Sequence, residues 1–116
     1  MPTYEVKLTL SAEDISFILG SALGGSGISY WANNWYAVNP RGGFPKGKFE
    51  SEALTNGCFI NIYDMEGEKW HRLTLKKFLS GVGLALKAGV LDLEDYDGPQ
   101  ADSVVQYALF GKELYA

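Results

Sequence analysis

Ile28-Ser29-Tyr30-Trp31-Ala32-Asn33-Asn34-Trp35-Tyr36-Ala37-Val38 decides the fold, because a glycine-rich turn, Gly24-Gly25-Ser26-Gly27, runs straight into four large aromatic rings. Read as one long strand from Ile28 to Val38, it places Ile28, Tyr30, Ala32, Tyr36 and Val38 on one face and Ser29, Trp31, Trp35 and Ala37 on the other. Asn33-Asn34 marks a β-bulge, which would turn some rings out of register. Packed inside, each ring hides on the order of 150 to 250 Å² and builds the core of a small domain. If helices cover the Tyr30 and Tyr36 face, however, Trp31 and Trp35 lie opposite and need a ligand or a partner chain to cover them.

Upstream, Tyr4, Val6, Leu8 and Leu10 alternate with Thr3, Glu5, Lys7 and Thr9, the period of a half-buried strand over Thr3–Leu10. Ser11-Ala12-Glu13-Asp14 then reads as a serine cap with an acid three residues on, and Ile15, Ile18, Leu19, Ala22 and Leu23 form one helical stripe. Gly24 to Gly27 stop that helix, glycine being free to take the left-handed conformation at a helix end. No Gly-Lys-Ser/Thr follows, and the order is helix then strand, so a phosphate-cradling loop is disfavoured.

Downstream, residues 39–48 are too rich in Gly and Pro for a regular element. Cys58, Ile60 and Ile62 alternate with Phe59, Asn61 and Tyr63, the chain reverses through Asp64–Glu68, and Trp70–Leu75 returns as the second arm of a hairpin. Leu75, Phe78, Leu79, Val82 and Leu86 fall at helical spacing after a Thr74 cap, with Gly81 and Gly83 excused by close packing and Gly89 as the stop. Asp97-Gly98-Pro99 opens a last helix with Ala101, Val104, Val105, Ala108 and Leu109 as its stripe and Gly111 as its end. The order predicts a single α+β domain over residues 1–116, with a mainly antiparallel sheet of about four strands and two to three helices on one face.

Composition bounds the function. The chain has 116 residues, 47% hydrophobic and 21% charged, the profile of one globular domain. The start lacks a basic lead and an apolar run, and no stretch could span a bilayer, which predicts a cytoplasmic protein with no membrane partner. Cys58 is alone, so no internal disulfide or cysteine-based zinc cluster forms. A net charge of −4 disfavours non-specific nucleic-acid binding as the main activity. The charge is uneven: Asp92, Glu94, Asp95 and Asp97 lie in a stretch without Lys or Arg, while Arg41, Lys46 and Lys48 crowd the loop after the aromatic strand.

Chemistry-bearing motifs are sparse. His71, the only histidine, lies between Trp70 and Arg72 with no nucleophile motif beside it. Asp64, Glu66 and Glu68 do not have the length of a calcium loop and suit a turn. Carboxylates of the 92–97 segment read as an exposed connector. The expectation is therefore a non-enzyme with no cofactor and no metal, whose candidate binding residues are Tyr30, Trp31, Trp35, Arg41, Lys46, Lys48, Asp92, Glu94, Asp95 and Asp97.

Three segments carry a likeness: Ser21-Ala22-Leu23-Gly24-Gly25 leading to Tyr30-Trp31; Gly67 to Leu79, centred on Leu73-Thr74-Leu75-Lys76-Lys77-Phe78-Leu79; and Asp102 to Tyr115, with Val105-Gln106-Tyr107-Ala108-Leu109-Phe110-Gly111. Together they resemble small, largely uncharacterised accessory proteins of bacterial phages, prophages and mobile elements, over most of the chain outside residues 39–52. The resemblance implies a binding protein in the bacterial cytoplasm and carries no catalytic residue. By analogy of genomic company it implies an anti-defence inhibitor of a host immune protein or nucleoprotein complex, for example a CRISPR effector, with Asp92 to Asp102 entering a basic groove and the tryptophans as anchors. Two alternatives stand beside it: a small-nucleotide binder using Trp31, Trp35 and the Arg41–Lys48 loop, and a purely structural homo-oligomer, such as a homodimer, with tryptophans meeting across a symmetry axis.

Overall fold

Ser11 starts the first helix in the computed structural model, which describes residues 9–47 and 49–116. Its hydroxyl accepts the Asp14 N–H at 3.0 Å, and the Asp14 carboxylate accepts the Ser11 N–H at 3.1 Å. Two amides at the helix start are thereby satisfied reciprocally. Helix α1 covers Ala12–Leu23 and turns Ile15, Ile18, Leu19 and Ala22 into the core, as their spacing predicts. Gly24 ends it with φ −73°, so the left-handed stop expected there is not used. The need for glycine lies at Gly27 instead, where a Cβ would stand 1.9 Å from the Ala22 carbonyl oxygen. The chain folds back against the last turn of α1, and only glycine leaves room.

The strand expected from Ile28 begins at Ala32. Ile28–Tyr30 form one turn of 3₁₀ helix, and strand β1 is Ala32–Val38. It pairs antiparallel with β2, Phe59–Asp64, which pairs antiparallel with β3, Lys69–Leu73. Ala32 lies opposite Asp64 and Asn34 opposite Tyr63, so the register slips at Asn33, within the pair that marks a bulge in the sequence. After the slip Trp35 and Ala37 pack against the core, while Tyr36 is exposed beside Trp70. That is the opposite assignment from helices covering the Tyr36 face.

β2 alternates as the hairpin reading requires: Ile60, Ile62 and Asp64 are buried, and Phe59, Asn61 and Tyr63 are partly open. Residues 39–47 hold no helix or strand, and two 3₁₀ turns, Glu50–Glu52 and Leu54–Asn56, bring Ala53 and Leu54 into the core. The described sheet has three strands. The strand expected over Thr3–Leu10 falls on residues 1–8, outside the described residues; Thr9 and Leu10 are not in a strand.

Helix α2, Leu75–Lys87, starts at Thr74, whose hydroxyl accepts the Lys77 N–H at 3.2 Å. Phe78, Val82 and Ala85 face inward, whereas Leu79 of the expected stripe is exposed. Gly81 permits close packing on helix α3, Gly98–Phe110: a Cβ there would lie 2.5 Å from the Val104 carbonyl oxygen. Gly83 has nothing within 4 Å of a Cβ, so close packing does not explain it. Asp97 caps α3 by accepting the Gln100 N–H at 3.0 Å, and Gly111, at φ 73°, ends it in the left-handed region. The result is an α+β fold with the three helices packed about the face of the antiparallel sheet that carries Ile60, Ile62 and Leu73. Among the described residues no helix is long and apolar enough to cross a membrane.

Candidate binding surface

Trp31 is 1% exposed, not on an open face as the strand alternation would allow. The 3₁₀ turn before it shifts the phase and sends the indole inward. Its Nε1–H donates to Asp102 Oδ1 on α3 at 2.7 Å. Asp102 Oδ2 accepts the Tyr30 hydroxyl at 2.6 Å, and Gln106 Nε2 donates to both carboxylate oxygens at 3.0 and 3.1 Å. Gln106 Oε1 accepts the N–H groups of Leu114 and Tyr115 at 2.8 and 2.9 Å. The Tyr115 ring stacks on Trp31 at 5.3 Å, and its hydroxyl donates to Asp64 at 2.8 and 2.9 Å. Asp64 also accepts the Glu66 and Gly67 N–H groups at 3.0 Å each and lies 3.3 Å from His71 Nε2.

This network binds structure rather than substrate. Burial, then the hydrogen bond to the Asp102 carboxylate, pushes the Tyr30 hydroxyl up to about 12. Tyr115 rises to about 12 through burial and its bond to Asp64. Burial acts to raise Asp64, but the bonds from Gly67, Tyr115, His71 and Glu66 outweigh it and hold the carboxyl below its ordinary value. Both tyrosines therefore stay protonated donors near neutral pH, and Asp64 stays an ionised acceptor. Their effect is to fasten the segment after α3 to β2 and Trp31. A cavity of about 640 Å³ lies beside it, lined among others by Ser26, Tyr30, Asp102, Ser103 and Glu113, with the Ser103 hydroxyl donating to Glu113.

The remaining sequence candidates scatter. Trp35 is half-buried and borders a groove of about 450 Å³ with Leu23, Phe49 and Glu50. Lys46 lines a different cavity of about 310 Å³ beside Ala37 and Ala53, and Arg41 is exposed, its N–H donating to Asn39 Oδ1. Lys48 lies outside the described residues. Trp31, Trp35, Arg41 and Lys46 thus share no pocket, and the nucleotide clamp and the tryptophan-to-tryptophan dimer contact built on paired outward indoles are not what the fold presents. In the acidic connector Asp97 is the helix cap, and Asp92 Oδ1 accepts the Glu94 N–H at 3.0 Å. The Asp92 N–H in turn donates to Gln100 Oε1 at 2.7 Å. All four acids are exposed, but the side chains of Asp92 and Asp97 are engaged in turn and cap bonds.

The sheet's other face is where unspent recognition chemistry collects. Tyr36 on β1, Tyr63 on β2 and Trp70 on β3 meet edge to face, with Trp70 5.2 Å from each tyrosine ring. Tyr36 is 47% exposed and Trp70 45%, and the buried residues Ile60, Ile62 and Leu73 lie on the opposite face of the sheet. The Tyr36 hydroxyl accepts Asn61 Nδ2 at 3.1 Å, and the Arg72 guanidinium lies 4.1 Å over the Phe59 ring. Cross-strand pairing explains the cluster: Tyr63 is opposite Trp70, and Asn61 lies between Tyr36 and Arg72. Sequence reasoning missed this face, although Phe59, Asn61 and Tyr63 alternating across the hairpin from Trp70 and Arg72 carried the signal. Compared with protein-family models, curated proteins and solved structures, the chain shows no significant match.

Proposed function

We propose that the protein acts by binding, without catalysis, as an accessory protein of a phage or mobile element that inhibits a host immune nucleoprotein complex in the bacterial cytoplasm, and that it does so through the outer face of its sheet. The observation that carries the reading is the Tyr36–Tyr63–Trp70 cluster, with Tyr36 and Trp70 exposed, Tyr63 partly so and Arg72 beside them. Tyrosine, tryptophan and arginine dominate binding energy at interfaces because they bury large area for little lost side-chain freedom and still hydrogen-bond. Such a cluster at the centre of an open sheet face fits a contact surface better than it fits a solvated one. The inhibitory role rests on the resemblance to phage accessory proteins. Glu94 and Asp95 supply a secondary contact to basic groups. A fourth strand, resting on the alternation of Tyr4, Val6, Leu8 and Leu10, belongs to the same proposal, and amide exchange over residues 3–10 tests it.

The test is binding to a purified CRISPR effector ribonucleoprotein from the bacterial host, read by surface-immobilised kinetics. Wild type binds, and Trp70→Ala weakens the complex by about 2 kcal/mol or more, as loss of a central aromatic anchor does. Equal affinity of the variant and wild type would remove the sheet face from the account.

A further inference from the structure

We propose that the outer face of the sheet takes single-stranded nucleic acid, stacking bases on Trp70, Tyr36 and Tyr63 and seating a phosphate on Arg72. This rests on the reading of that face as the working surface and names what it touches.

Three features favour a nucleic-acid strand as the occupant. First, the rings stand on three neighbouring strands, partly exposed, so successive bases have successive π surfaces to meet. Secondly, the face is charge-complementary to a phosphodiester. None of the outward residues of the three strands is acidic, the Arg72 guanidinium lies 4.1 Å from the centre of the Phe59 ring, and Lys77 Nζ sits at the same strand end, donating to the Arg72 carbonyl at 2.9 Å. A guanidinium anchored by its ring contact keeps its N–H fork for phosphate oxygens. Thirdly, the polar groups beside the rings are amides: Asn61 is engaged by the Tyr36 hydroxyl, and the exposed Asn34 lies opposite Tyr63 past the bulge, where it can reach a base edge. A duplex offers no base faces and is excluded by the same geometry.

The overall charge of −4 does not oppose this, because the acidic run at 92–97 belongs to the connector between α2 and α3, not to the sheet. One or two phosphate contacts set the salt dependence, a log–log slope of about −0.7 to −1.4.

The experiment titrates the full chain into fluorescein-labelled oligothymidylate and, separately, oligouridylate, reading anisotropy at low salt. The two arms tell DNA from RNA. Expected are a saturable rise with at least one strand, little rise with a duplex of mixed sequence, and weakening by about tenfold or more in Trp70→Ala and in Arg72→Gln, the scale of one lost base stack. Lys87→Gln, which removes an exposed cation at the far end of α2, binds as wild type does. Should Trp70→Ala fail to fold, judged by thermal unfolding, Tyr36→Leu takes its place. No rise with either strand at about 1 mM protein, weaker than ordinary non-specific binding, overturns the proposal. So does a duplex that binds equally well, or a Trp70 variant that binds unchanged. If both oligonucleotides fail while the effector complex still binds through Trp70, the partner at this face is protein: the inference falls and the proposed function stands. If oligonucleotides bind and the effector does not, the inference stands and the inhibitory role falls.

Discussion

Asp102 on α3 gathers three donors at one carboxylate, since the Trp31 indole, the Tyr30 hydroxyl and the Gln106 amide all donate to it. Asp102→Ala leaves the sealed Trp31 N–H without an acceptor and is expected to lower stability by about 3 kcal/mol, measured by urea unfolding. The tyrosines give a pH signature. Their folded values stand near 12 against 10.0 for the free group, so the neutral forms are favoured by folding. The stability they contribute is complete below pH 10 and is lost as pH rises through 12. Thermal unfolding across that range should show the decline, and Tyr115→Phe should flatten it. Asp64 works in the other direction: its lowered value means stability present above the ordinary 3.8 and lost as acid protonates the folded carboxylate. The caps at Ser11, Thr74 and Asp97 are legible in sequence because donor and acceptor lie three residues apart. Asp102 and Trp31 are not, being 71 residues apart, with the acid looking like one more solvated charge on an amphipathic helix.

At the scale of elements, the two glycines of α2 separate packing from propensity. Gly81→Ala drives a methyl to 2.5 Å from the Val104 carbonyl oxygen and should destabilise by about 2 kcal/mol or more, because α2 must move off α3. Gly83→Ala meets open space and should stabilise by about 1 kcal/mol, the propensity difference in an exposed helix. Opposite signs in paired denaturation curves are the expected outcome. Periodicity located all three described helices and the hairpin, since stripe and cap agree for each. It misplaced the start of β1, because Ile28 to Tyr30 continue the apolar–polar alternation while their backbone winds through a 3₁₀ turn. That turn, with the slip at Asn33, reversed the faces of the strand. Alternation assumes a constant period of two, and both events break it without changing composition.

Across the whole molecule, the same reversal decides which aromatics serve the core and which remain outside. Trp31 and Trp35 pack inward, and the open cluster gathers from three strands, Tyr36, Tyr63 and Trp70, with Arg72 at its side. No local window of sequence contains that set; the hairpin and the β1–β2 pairing assemble it. The acidic connector, by contrast, was visible as composition, and half of it is committed to capping and turn bonds. Function on this account belongs to the sheet face, with the helices and the Asp102–Tyr115 network holding the strands that display it. The most direct measurement is the plating efficiency of a targeted phage on a CRISPR-immune host that expresses the protein. Wild type should raise plating, the combined Trp70→Ala and Arg72→Gln variant, expressed and folded to the same level, should not, and Glu94→Gln with Asp95→Asn should lose only part of the effect. Full protection of the phage by the sheet-face variant would contradict the account.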